Sequence, residues 1–215
     1  MFKKLFFLFI LFIMIFPLPC QESYEIFRAI ANSDYLEAER LLAEGLDPNV
    51  RDSRDRSALH MAILYENDPI GVALVLTGAD PNEYDSDGDS LLYLAVLRGM
   101  EQTATALSKS GADPNFINQY GNSILVMSII KGMILTSREL VLHGAEPNTV
   151  SSAGISSLML AVKKGLRETA EELVIRGAEV NVKDENGYTP LMIATWRQYE
   201  TLRRLLLEYG ASESD

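Results

Sequence analysis

A short motif headed by glycine recurs six times along this chain, each copy thirty-three residues after the last: Gly45 (GLDPN), Gly78 (GADPN), Gly111 (GADPN), Gly144 (GAEPN), Gly177 (GAEVN) and Gly210 (GAS, running into the terminus). A fixed period of this size describes a supersecondary unit that cannot bury its apolar face alone, so neighbouring units must stack. The expected fold is all-α: six stacked helix-turn-helix units joined by β-hairpin-like loops.

Each place in the repeat has a physical reading. Ser57, Ser90, Ser123, Ser156 and Thr189 precede apolar segments such as Leu92–Val96 and read as N-caps, because a hydroxyl there accepts an orphan N–H at a helix start. Gly99, Gly132 and Gly165 end that first helix in the left-handed conformation, and a second helix, for instance over 168–176, runs to the repeat glycine. Gly88, Gly121, Gly154 and Gly187 share a hairpin place that needs positive φ, where the second copy has Asp55. One place in the second helix holds Ala38, Gly71, Ala104, Ser137 and Ala170, small residues that allow close packing of the next unit. Arg203 fills it in the last copy, and Arg28 replaces the apolar series Met61, Leu94, Met127, Leu160 and Ile193 in the first. Polar outer faces at both ends are what a whole array requires, so a complete array is expected.

The motif resembles the ankyrin repeat over about residues 22–215. The residues that carry the likeness are Gly187-Tyr188-Thr189-Pro190-Leu191-Met192 with Ala194, and the pair Leu59-His60. The expected repeats are 22–51, 52–84, 85–117, 118–150, 151–183 and 184–215. The resemblance implies a structural His60 that hydrogen-bonds a neighbouring loop. It also implies partner binding through a concave strip formed by the hairpin tips and the exposed residues of the first helices.

Residues 1–20 have a different composition. Lys3-Lys4 is followed by Leu5 to Phe16 without a polar side chain, then Pro17-Leu18-Pro19-Cys20. That layout is an export signal, and the run is shorter than the about 20 residues a spanning helix needs. An uncleaved signal anchor is the alternative, since no small-residue cleavage site is present. Cys20, the only cysteine, stands where a bacterial lipoprotein carries its acylated residue, although Pro19 departs from the usual preceding small residue. Lipidation at Cys20 and simple secretion both remain open, with a periplasmic, secreted or membrane-anchored location in either case. No disulfide can form within one chain.

Formal charge is −11, or −13 once Lys3 and Lys4 are removed. Such a chain repels phosphate backbones, so nucleic acid is not an expected partner. Glu83-Tyr84-Asp85-Ser86-Asp87-Gly88 has the opening of a calcium loop, but the twelfth place, where a bidentate Glu would close it, is Leu94. The two histidines, His60 and His143, have no nucleophile or metal set beside them in the sequence pattern, and no phosphate loop is visible. Neither catalysis nor a cofactor is expected.

The family's contact places carry Arg54, Arg56, Tyr65, Tyr84, Arg98, Tyr120, Lys131, Lys164, Tyr188, Trp196 and Arg197, with Leu64, Asp87, Asp89, Leu97, Asn122, Ile155 and Lys163 between them. Tyr, Trp and Arg are the residue types that dominate interface energetics. This strip gathers cations from an acidic chain, so the expected partner is a protein with an acidic surface, bound by a monomer. An envelope adaptor or structural protein tethered through Cys20 is the alternative, and a cell-wall hydrolase a remoter one.

Overall fold

The computed structural model describes residues 18–212, with side chains from Tyr24 onward. The apolar run of the expected export signal and the Cys20 side chain lie outside that description. The described residues form two compact units, one up to Asp80 and one from Pro81.

The first unit contains α1 (Leu18–Ala31), α2 (Tyr35–Ala43), α3 (Ala58–Leu64) and α4 (Asp68–Leu76). Helix α1 begins four residues before the expected boundary at 22, with Pro19 in its first turn, where a missing N–H costs nothing. First helices pack together, α1 on α3, and second helices likewise, α2 on α4. Ile26, Ile30, Leu59, Ile63, Ile70 and Leu74 form the buried interior.

The second unit holds four consecutive helix pairs. These are α5 (Leu91–Arg98) with α6 (Glu101–Lys109), α7 (Ile124–Lys131) with α8 (Ile134–Leu142), α9 (Ser157–Lys164) with α10 (Arg167–Ile175), and α11 (Pro190–Trp196) with α12 (Glu200–Glu208). Helices α5, α7, α9 and α11 pack in sequence, as do α6, α8, α10 and α12. The small places Ala104, Ser137 and Ala170 are fully buried between second helices. Hydroxyls add cross-repeat contacts there: Ser137 Oγ lies 2.8 Å from Thr169 Oγ1, and Thr105 Oγ1 lies 3.1 Å from Thr136 Oγ1.

The helix ends form as their residues dictate. Ser57, Ser90, Ser123, Ser156 and Thr189 accept the backbone N–H three residues on. Gly99, Gly132 and Gly165 close first helices with φ of 75°, 73° and 71°. Ser33, Glu66 and Gln198 occupy the same place and take φ of 56°, 55° and 59°, so the fold imposes the left-handed residue even where the sequence has no glycine.

Between helix pairs the chain makes isolated antiparallel bridges, Arg51 with Ser57, Tyr84 with Ser90, Ile117 with Ser123 and Val150 with Ser156, and no strand forms among the described residues. One polar side chain secures each hairpin from within. Asp85 Oδ1 accepts the N–H of Asp87 and of Asp89, both at 2.9 Å; Asn118 Oδ1 receives those of Tyr120 and Asn122 at 3.0 and 2.9 Å. The acidic run at 83–88 is thus a hairpin whose first aspartate serves its own backbone.

Candidate functional site

The structure distributes the expected contact residues between the units. Arg54, Arg56 and Tyr65 belong to the first. Arg54 is exposed, and Tyr65 is half-exposed at the end of α3. Arg56 is engaged internally: its Nε and Nη2 donate to Asp52 Oδ2 at 2.9 and 2.6 Å. Burial pushes the Asp52 carboxyl up, but the Arg56 guanidinium and the N–H groups of Arg56 and Arg54 outweigh it and hold it at about 2.

Tyr84, Arg98, Tyr120, Lys131, Lys164, Tyr188, Trp196 and Arg197 lie in the second unit, all solvent-exposed. Tyr84 stacks obliquely on Phe116, ring centroids 6.1 Å apart, while Tyr120 stands free at a hairpin tip, 74% exposed. Tyr188, Trp196 and Arg197 are brought together in a groove of about 450 Å³, completed by Lys163, Asp184, Asn186, Met192 and Ile193. That volume falls in the range of clefts that hold a compact ligand or a few side chains.

Each wall has a local cause. Asp184 Oδ1 accepts the N–H of Asn186 and of Tyr188, both at 3.0 Å, which forms the last hairpin and carries Tyr188 to the rim. Lys163 at the end of α9 reaches Asp184 Oδ2 at 3.5 Å and ties the hairpin to the preceding repeat. Burial raises the Asp184 carboxyl, yet the two N–H donors and Lys163 prevail, and its pKa is lowered. Thr189 caps α11, which then presents Met192 and Trp196 one turn apart, with the buried Ile193 beneath them. Trp196 is 80% exposed, with the Arg197 guanidinium 5.5 Å from its ring centroid, a cation–π distance.

Four walls, Asp184, Asn186, Met192 and Ile193, were not among the expected contact residues, and Met192 is the most exposed apolar one of them. Its equivalents Tyr93, Val126 and Met159 are buried, and Tyr93 is covered by the next hairpin, where Asn118 Nδ2 donates to its hydroxyl at 2.7 Å and Phe116 lies 5.5 Å away. No described hairpin follows α11, so Met192 is 36% exposed. Asp184 opens its hairpin as Asp85 and Asn118 open theirs, and its contact with Lys163 bridges twenty-one positions.

Other titratable clusters offer less. His60 is buried, and His143 Nε2 is 3.6 Å from Glu139 Oε2 at the end of α8. Among the described residues no group of three or more His, Cys, Asp or Glu side chains is placed to hold a metal, and no helix is long and apolar enough to cross a membrane.

Comparison with known proteins agrees with the architecture. The family described as Ankyrin repeats (3 copies) matches residues 26–118, 92–184 and 125–214. No curated protein matches the chain. Among solved structures, an ankyrin repeat domain from Acinetobacter baumannii AYE is 29% identical, with a TM-score of 0.62 over 88% of this chain and 99% of that one. The ankyrin repeat domain of human ASB11 is 22% identical, TM-score 0.57, over 88% and 85%. That of Bcl-3, a member of the IkappaB protein family, is 24% identical, TM-score 0.55, over 88% and 87%. The chain belongs to the ankyrin repeat family, whose domains generally serve as protein–protein interaction modules.

Proposed function

We propose that this protein is an exported, monomeric, non-enzymatic module that binds another protein through the groove and the exposed first-helix ends of its second unit. The observation that carries this reading is Trp196. A large aromatic left 80% exposed beside Tyr188, at the rim of a groove, has no packing task that accounts for it, and such residues anchor interfaces. Arg197 beside it, with Lys164 and Lys131 at the same first-helix place in the two preceding repeats, favours a partner with an acidic surface.

Export rests on Lys3-Lys4 and the apolar run to Phe16, which direct the chain to the periplasm or beyond. Cys20 at the end of that run favours a second arrangement, an envelope adaptor held by lipid. The mass of the mature protein and its partition into detergent separate the two; full-length unmodified protein in the cytosol would refute both.

Binding is tested by capture from envelope extract on the wild-type chain and on Trp196→Ala, followed by mass spectrometry. The expected result is a protein retained by the first and lost from the second. Equal capture by both would sink the assignment of the groove.

A further inference from the structure

Two sets of cations in the second unit contrast, apart from Arg98, which has a partner, and Lys163, which is paired with Asp184. Along the second helices they are paired: Lys109 and Arg138 with Glu139, Arg167 with Glu171, Arg176 with Glu172, and Arg203 and Arg204 with Glu200. At the ends of the first helices Lys131, Lys164 and Arg197 are exposed and make no ion pair among the described residues. In a chain of net charge −11, acidic side chains to neutralise them were abundant.

Their spacing is regular. Lys131 and Lys164 end α7 and α9 and Arg197 is the C-cap of α11, at intervals of thirty-three residues, so they form one row that climbs by one helix–helix step per repeat. Packed helices lie about 8–10 Å apart. Next to this row runs another of exposed apolar side chains, Leu97, Ile130 and Trp196, interrupted where Lys163 turns to Asp184. It ends at the groove.

A polyproline-type extended segment rises about 3.1 Å per residue with three residues per turn, so every third side chain points the same way at intervals of about 9 Å. That interval matches the step of the row. An α-helix laid along the strip would repeat every about 5.4 Å and could not stay in register with it.

Resting on the reading of this strip as a protein-binding face, we propose that its ligand is an extended acidic segment of the partner. Carboxylates at every third residue meet Arg197, Lys164 and Lys131, and one large apolar side chain beyond the first carboxylate fills the groove between Tyr188 and Trp196. A folded acidic surface would use the charge but not the period. Cationic ligands are disfavoured, because Arg197 already covers the indole and Lys163 already holds Asp184.

The test uses the chain's single tryptophan as its probe. A synthetic peptide Leu-Pro-Glu-Pro-Pro-Glu-Pro-Pro-Glu-Pro is titrated against the protein, alongside one of identical composition with its three glutamates contiguous and one with glycine for leucine. The periodic peptide is expected to bind at least tenfold more tightly than the contiguous one and to shift Trp196 emission to the blue. Glycine for leucine should remove the shift, and Lys131→Glu with Lys164→Glu should weaken binding tenfold or more with the helical circular dichroism retained. Equal binding of periodic and contiguous peptides overturns the proposal, as does binding that leaves the emission unmoved. Equal binding of a ten-residue oligothymidylate would also overturn it, because plain electrostatics would then account for the row. If Trp196-dependent capture succeeds and the periodic peptide does not compete, the interaction reading survives and the extended acidic ligand falls.

Discussion

Asn115 reaches across to the next repeat and holds the end of its second helix: its Nδ2 donates to the carbonyl of Gly144 at 3.1 Å, while its Oδ1 accepts the N–H of Glu146 at 2.8 Å. The same bidentate bridge recurs from Asn49 to Gly78 and Asp80, from Asn82 to Gly111 and Asp113, from Asn148 to Gly177 and Glu179, and from Asn181 to Gly210 and Ser212. The asparagine of each glycine-headed motif therefore links repeats as well as turning the chain.

Removing one bridge should loosen the stack locally. Asn115→Ala deletes two hydrogen bonds, each worth about 0.5–1.5 kcal/mol, and is expected to cost about 1–2 kcal/mol since the site is exposed enough for water to replace part of them. Denaturant unfolding gives the magnitude. Hydrogen exchange should show lost protection around residues 115 and 144, and an unchanged pattern there would contradict the linking role.

Two helix-ending glycines with nearly equal φ should respond differently to alanine. A Cβ on Gly132 meets nothing within 4 Å, so Gly132→Ala pays only for the left-handed backbone, about 1–2 kcal/mol. A Cβ on Gly165 meets the Tyr199 ring at 3.3 Å, and Gly165→Ala should be the more damaging of the pair. Conversely Gln198→Gly, at φ 59°, should raise the melting temperature. Equal losses at 132 and 165 would show that the Tyr199 contact carries no weight.

Two hairpin aspartates should act with opposite sign. Asp52 has its pKa depressed to about 2, so its contribution is present above the unfolded value near 4 and is lost as pH falls toward 2. Asp52→Asn should destabilise at pH 7. For Asp89 burial, then the Asp85 and Asp87 charges, push the pKa up, which means its ionisation opposes folding above the raised value. Asp89→Asn should be neutral or stabilising at pH 7, and urea midpoints for both variants at pH 7 and pH 3 check the two signs.

Trp196→Ala separates packing from recognition. Because the side chain is 80% exposed, the loss of stability should stay within about 0.5 kcal/mol, while partner affinity falls by about 2 kcal/mol or more. Lys131→Glu with Lys164→Glu should chiefly slow association and flatten its salt dependence. A large drop in melting temperature with unchanged affinity of the folded fraction would reverse the assignment of Trp196.

What the sequence determined by itself is whatever rests on one residue and its neighbours in the chain. The thirty-three-residue period, the hydroxyl caps at Ser90 or Thr189, the left-handed Gly99 and Gly132, and the small Ala104 and Ala170 were all readable, because their preferences are set by backbone dihedrals, local donors and side-chain size. What only tertiary structure decided lies between repeats. The Asn115 bridge, the Ser137–Thr169 contact and the Lys163–Asp184 tie join residues twenty-one to thirty-two positions apart. The hold of the Arg56 guanidinium on Asp52 is likewise a feature of the folded hairpin. Met192 and Met159 occupy one place in the repeat, yet only the first is exposed, because burial depends on whether a neighbouring hairpin covers the position and no property of the methionine itself records that.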